Sequence, residues 1–325
     1  MQQLVSMEDL HISFDTVRGR LHALRGVNLT LAEGETLALI GESGSGKSVT
    51  AEVLLGIVDM PPGRVDRGRI SYKGDDLLTM KPSVRRQIQG NEIAMVFQDA
   101  IAALNPVYTV GWQIAEQFKV HRGWSMARGR EKAVELLGRV GIPNPQERVD
   151  QYPHQFSGGM RQRVLIAMAI ALEPRVLIAD EPTTALDVTV QAQIMQLLAR
   201  LQSETRMGMM LITHDMAVAA EVADRVAVMY AGRIVETGSV VDIIEKPSHP
   251  YTQALVRLAL HDARKGSRPR ISGSAPDLVT PPLGCAFAPR CAHAQAVCTK
   301  QDPQLHVVSG AQSAACHFAR ELHLG

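Results

Sequence analysis

The chain has 325 residues, 46% of them hydrophobic and 21% charged, with a formal net charge of +1. That length buries one large domain with an appendage, or two domains, and the near-neutral balance excludes the basic excess expected of a nucleic-acid binder. The longest apolar run, residues 164–172, falls well short of the ~20 residues that a bilayer span needs, and the opening MQQLVSMEDL lacks a signal-peptide pattern, so any membrane role is expected to be peripheral.

Short apolar runs alternate with amphipathic stretches through most of the chain, the pattern of a parallel sheet flanked by helices. Residues 4–31 read as antiparallel strands. Further strands are predicted at 36–40, 93–97, 176–179, 210–213 and 226–230, and a tight Ala-Gly turn leads into another at 233–236. Between residues 105 and 152 helical periodicity broken by Gly and Pro replaces the strand signal, which predicts a helical insert, about 105–172 in all. Past Gly238, VVDIIEK and YTQALVRLAL read as two short helices separated by PSHP. Residues 262–283 are rich in Arg, Lys, Pro, Ser and Gly and read as a linker. The last stretch, 284–325, holds all four cysteines.

GESGSGKS at 41–48 fills the pattern G-x-x-x-x-G-K-[ST] and lies between an apolar strand run and a helical one, where a phosphate-binding loop must lie. Gly41, Gly44 and Gly46 let successive N–H groups face one point, and the following helix adds the positive end of its dipole. Lys47 is placed to reach the β and γ phosphates, and Ser48 offers a hydroxyl to magnesium. Glu42, Ser43, Ser45 and Val49 complete the expected ATP cradle.

RVLIADEPT ends a buried strand in two carboxylates, at the edge where open α/β sheets bind ligands. Neighbouring side chains on a strand point apart, so Asp180 is expected to face magnesium and Glu181 the water that attacks the γ phosphate. Gln98 and His214 end apolar strands in the same way. Gln98 could contact both magnesium and the attacking water, and a neutral His214 could hydrogen-bond the γ phosphate.

FSGGMRQR at 156–163 poses a separate problem, because one nucleotide needs only one cradle. Ser157 falls near the N-cap of an apolar-faced helix, and the free N–H groups of the first turn, together with the Ser157 hydroxyl, make a second anion site, the plainer reading being an N-cap alone, which leaves the paired glycines unexplained.

The set GESGSGKS, VFQD, FSGGMRQR, VLIADEPT, ALD and THD, in this order, resembles the ATP-binding subunit of an ABC transporter over residues 4–238. The resemblance implies an α/β P-loop NTPase with a RecA-like core, an N-terminal antiparallel β subdomain and a helical subdomain. It implies a cassette over 1–238, a helical extension and linker over 239–283, and a cysteine module over 284–325. In that family two cassettes pair head to tail, so Ser157, Gly158, Gly159 and Met160 would contact the partner's ATP. Asp187 in ALD would lie at the subunit contact, and Gln98 would begin the loop that reports to the membrane subunit. Phe14 is the candidate for the ring that stacks on adenine, its other reading being an inward strand residue. The usual signature ends in Gln, where this chain has Met160.

NPVYTVG, YPHQFSGGM, HPYTQAL and GCAFAPRCAHAQAVC resemble, within that family, the ATPase subunits of bacterial dipeptide and oligopeptide importers, which work beside a second ATPase. Related systems for nickel, glutathione or antimicrobial peptides share many of these strings. The partners implied are a homologous ATPase, two transmembrane permease subunits on whose cytoplasmic face the chain would sit, and, indirectly, an extracytoplasmic peptide-binding protein. No nucleic acid is implied. Cys285, Cys291, Cys298 and Cys316 are spaced C-x5-C-x6-C-x17-C, unlike the short knuckles common in zinc modules. The resembled subfamily carries a [4Fe-4S] cluster here; zinc, buried thiols and disulfides stay open, with His293, His306 and His317 as substitute ligands. The work expected of a cluster is to fold a segment too small for its own core, with redox sensing the alternative.

Overall fold

The computed structural model describes residues 2–184, 186–259 and 271–322. Its strands are β1 (Gln3–Thr16), β2 (Gly19–Ala32), β3 (Thr36–Ile40), β4 (Gly63–Tyr72), β5 (Asp75–Asp76), β6 (Ile93–Val96), β7 (Val176–Asp180), β8 (Gly208–Thr213), β9 (Arg225–Tyr230), β10 (Arg233–Ser239), β11 (His306–Ser309) and β12 (Gln312–Ala314). The chain divides into two compact units, one spanning Met80–Met210 and the other combining Gln2–Thr79 with the chain from Leu211 on.

In the first unit β6 and β7 pair in parallel, from Ile93 opposite Val176 to Val96 opposite Ala179. Every residue of β7 is buried, as an apolar run covered on both faces must be. The predicted helical region is present as Val110–Arg122, Met126–Arg139 and Gly158–Ala169, and Val188–Thr205 follows β7. Each of these four helices starts on a polar cap. Thr109, Ser125, Ser157 and Asp187 accept the N–H of the residue three positions on, which satisfies one of the donors that a helix start leaves over. The first two helices approach closely at Gly129, where a Cβ would stand 2.8 Å from that of Ala115.

In the second unit β2, β1, β4 and β5 form an antiparallel sheet, and β3 pairs in parallel with β9. β4 was not predicted: Arg64, Asp66, Arg67 and Arg69 stand among its exposed or half-exposed positions, and no apolar alternation marks it. β9 and β10 form the expected hairpin through Ala231-Gly232. The two short helices past Gly238 are Val240–Glu245 and Pro250–Ala259.

The cysteine segment is less independent than its composition suggests. β12 pairs antiparallel with β10, Ala314 opposite Glu236 and Ser313 opposite Thr237. Phe287 belongs to the same buried cluster as Ile40, Val228, Tyr230 and Tyr251, and Cys285 and Cys291 pack against it, so the segment shares a core. The expected linker lies partly outside the described residues. Its part from Ile271 on has no helix or strand, yet it is fastened, since His22 N–H donates to the Leu278 carbonyl at 3.0 Å and Arg18 pairs with Asp277.

Candidate functional site

Each unit carries part of the expected chemistry. In the second unit, β3 feeds the loop Gly41–Gly46 into the helix Lys47–Leu55. A Cβ at Gly41 would meet the Met229 carbonyl oxygen at 2.2 Å, so only glycine fits where the loop leaves the strand. Gly46 caps the helix at φ 108°, a left-handed conformation that glycine alone adopts cheaply. Lys47 is buried, and its Nζ donates to the carbonyls of Gly41 at 2.8 Å and Glu42 at 3.0 Å. The ammonium is thereby held over the mouth of its own loop. The buried Ser45 hydroxyl oxygen has no protein partner, a polar group that a phosphate oxygen would satisfy. Phe14 is half-buried on β1, its ring edge 3.2 Å from where a Cβ of Gly63 would stand. His214 is exposed immediately after β8.

In the first unit the structure brings Gln98 and Glu181 together. Gln98 Nε2 donates to Glu181 Oε2 at 3.1 Å, and Thr184 Oγ1 donates to the same oxygen at 2.9 Å. Asp180 is buried at the end of β7, while Glu181 is half-exposed beyond it at φ 42°. A left-handed glutamate costs on the order of 1 kcal/mol and survives only where its surroundings hold it. Here it turns the carboxylate away from the line of the strand and into the reach of Gln98 and Thr184. A carboxylate so oriented can accept a proton from an attacking water.

The second glycine turn is exposed. Ser157 is the N-cap, its Oγ accepting the Met160 N–H at 3.3 Å. The N–H groups of Gly158 and Gly159 open the helix and have no intrahelical acceptor. Asp187 is exposed and caps the next helix by accepting the Val190 N–H at 2.9 Å.

The four cysteines are free thiols and line one small pocket together with Phe287 and Phe318. His293 and His317 also reach that pocket; His306 is exposed on β11 and does not. Cys285, Cys291 and Cys316 each accept the backbone N–H of the residue two positions on, Phe287, His293 and Phe318. Burial pushes these thiols up, Cys316 to about 11, and the neighbouring sulfurs add to the shift. Among the described residues no three His, Cys, Asp or Glu side chains converge as the ligands of one ion.

Sequence reasoning did not find Thr184, nor the two side chains that hold Glu42 from outside the phosphate loop. The Glu42 N–H donates to Tyr251 Oη at 2.8 Å, and its carboxylate receives Arg290 Nη1 at 2.7 Å and Nη2 at 3.0 Å. Both residues lie in strings that carry the family resemblance, HPYTQAL and GCAFAPRC, yet nothing local in those strings says what they touch.

Comparison with known proteins agrees with this geometry. Residues 24–184 match the family model of the ABC transporter, and residues 235–298 match the oligopeptide/dipeptide transporter C-terminal region. The chain is 47% identical to the dipeptide transport ATP-binding protein DppD of Haemophilus influenzae over 97% of its own length and 95% of that protein's. It is 50% identical to the oligopeptide transport ATP-binding protein OppD of Bacillus subtilis, covering 94% and 86% of the two chains. Among solved structures, the dimeric bacterial ABC transporter cassette MJ0796 superposes with a TM-score of 0.65 at 27% identity, over 73% of this chain and 98% of that one. A second structure of that cassette is a dimer in a post-hydrolysis state bound to ADP and Pi, at 28% identity and the same TM-score.

Proposed function

Because the chain belongs to the ABC transporter ATP-binding family and carries its peptide-transporter C-terminal region, we propose that it is the ATP-hydrolysing subunit of an importer of dipeptides or oligopeptides. One observation carries the mechanism: the chain has a complete phosphate loop and, besides it, an exposed helix start where the N–H groups of Gly158 and Gly159 have no intrahelical acceptor. The second serves the nucleotide of a partner cassette. ATP then binds the closed pair better than the open one and shifts the equilibrium by that difference. Loss of the γ phosphate removes a group that both sides grip, and the pair reopens.

Within this scheme Gly41, Glu42, Ser43, Gly44, Ser45, Gly46, Lys47, Ser48 and Val49 cradle the phosphates, and Phe14 packs on adenine. Ser48, Gln98 and Asp180 are the residues that would hold magnesium, which would neutralise phosphate charge when bound. Glu181 takes the proton of the attacking water; its support is the pair of hydrogen bonds that aim its carboxylate. His214 hydrogen-bonds the γ phosphate. Met160 contributes backbone only, so the loss of the usual Gln side chain spares the contact.

The pairing partner is a second, homologous ATPase, and the pair sits on two permease subunits at the cytoplasmic face of the inner membrane. No described helix is long and apolar enough to cross a membrane, which agrees with peripheral attachment. Purifying the complex from membranes and identifying the permeases and ATPase that accompany it tests this reading. Recovery of the chain alone, or with soluble partners only, would refute it.

The four cysteines suit a [4Fe-4S] cluster. Their sulfurs line one pocket with aromatic walls, and three of them accept backbone N–H groups, which favours the charged sulfur that a metal requires. The cluster would supply a cross-link between four positions of the segment. The thiols of Cys285, Cys291 and Cys316, which burial favours in the protonated form, ionise when a cation compensates them.

A further inference from the structure

Arg290 sits in the turn Ala288–Arg290, between Cys285 and Cys291, with its side chain only 5% exposed. Its guanidinium spends every donor it has. Nε donates to the Ser272 carbonyl, Nη1 to Glu42 and to Tyr230 Oη, and Nη2 to Glu42 and to the Ile271 carbonyl. The two bonds to Glu42 form the parallel fork that makes arginine–carboxylate pairs strong and directional. Glu42 is the second residue of the phosphate loop. Its carbonyl receives Lys47 Nζ, its N–H is held by Tyr251, and its carboxylate is held by Arg290. Of these three restraints only the lysine belongs to the loop.

The tip of the loop has little packing of its own. Gly44 stands at φ 78°, and a Cβ built there would meet nothing within 4 Å. The loop is held at Ser45, whose carbonyl accepts the Gly232 N–H at 2.9 Å and whose N–H donates to the Glu42 carbonyl at 3.2 Å, and at its base, where Glu42 is held by Tyr251 and by the cysteine module. Tyr230, Tyr251 and Phe287 pack tilted or edge-on into one aromatic cluster behind that pair, and the Phe287 N–H is the one donated to Cys285.

We infer that Arg290 is a positioning residue for nucleotide binding, and that through Glu42 the ordered state of the four-cysteine module sets how tightly the phosphate loop grips ATP. This rests on the nucleotide reading of residues 41–48. The direction follows from ordering: a loop released at its base must be immobilised when ATP binds, so affinity falls, whereas turnover at saturation depends on Glu181 and changes little. Coupling between two sites is reciprocal. ATP must therefore also protect the cysteine module.

The test uses the full chain as purified, with a fluorescent ATP analogue for affinity and a thiol-reactive dye for the cysteines. Arg290→Met is expected to weaken nucleotide binding by about 5- to 100-fold and to raise KM with kcat nearly unchanged; Arg290→Lys should recover part of the loss. Glu42→Gln breaks the pair from the loop side without touching the module, so it carries the test if Arg290→Met fails to fold. Combined with Arg290→Met it should add nothing further. ATP should slow labelling of the thiols in the wild type and not in Glu42→Gln. Wild-type affinity in either variant, strictly additive effects, or thiol labelling in the wild type indifferent to ATP would overturn the proposal while leaving the nucleotide site intact. A wild-type chain that binds no nucleotide at all would overturn both.

Discussion

Replacing Gly158 by alanine separates the partner-facing role of the second glycine turn from its role in folding. A Cβ at Gly158 would meet only a side-chain carbon of Leu186, at the ordinary distance of 3.6 Å, and the residue does not lie in the left-handed region. Alanine is also the better helix former, so the fold should gain about 0.5 kcal/mol, a rise of about 1–2 °C in Tm. The neighbouring positions offer no such clean test. A Cβ at Gly159 would stand 2.6 Å from Val190 Cγ1, and Ser157→Ala would remove a cap worth about 1 kcal/mol. The N–H groups of Gly158, which is exposed, and Gly159, which is half-buried, open the helix without an intrahelical acceptor. A methyl group that spoils one such bond to an anion costs about 1.5–3 kcal/mol, which is a 10- to 100-fold loss of ATP-driven pairing. Steady-state hydrolysis, with size-exclusion chromatography of a pair trapped by ATP in a Glu181→Gln background, reads both quantities. An alanine variant with the wild-type melting temperature, wild-type turnover and an undiminished trapped pair would refute the partner-facing role of this turn.

Glu181→Gln keeps both oxygen-directed contacts in reach but removes the base, so ATP should bind with near wild-type affinity while hydrolysis falls by at least about 100-fold; a variant hydrolysing normally would take Glu181 out of that role. Anaerobic purification should yield a coloured protein containing iron and acid-labile sulfide in equal amounts, and replacing Cys298 by serine should lose both together with thermal stability. A colourless protein with stoichiometric zinc would overturn the cluster. Burial pushes His249 from its ordinary 6.5 down to about 4, and its Nδ1 accepts the Tyr251 N–H at 3.1 Å, which requires the neutral ring. The unfolded chain takes up that proton below about pH 6.5 and the folded one does not, so stability is lost as pH falls, by about 2 kcal/mol between pH 7 and 5. Glu236, raised by burial, acts in the opposite sense, so the measurement is the difference between wild type and His249→Gln in urea unfolding; equal pH slopes would remove His249 as the cause.

What the sequence disclosed follows from how local each code is. The phosphate loop is legible because its glycines and lysine act within eight residues, and β3 and β7 because strands buried on both faces read as nearly continuous apolar runs. β4 escaped because strand pairing, not burial, fixes it: Arg67 and Arg69 keep to water while their backbone pairs with β1. Thr184 lies only three residues from Glu181, yet its role depends on the left-handed turn at Glu181, which no propensity foretells. The Arg290–Glu42 pair spans 248 positions, and neither partner sits in a pattern that names the other. The candidate catalytic groups were therefore proposed from spacing, while the groups that hold them in place could be found only by proximity. That asymmetry has a physical root. A ligand of fixed shape dictates spacing along a loop, whereas the supports of the loop can come from any surface the fold brings near, and here that surface is the cysteine module.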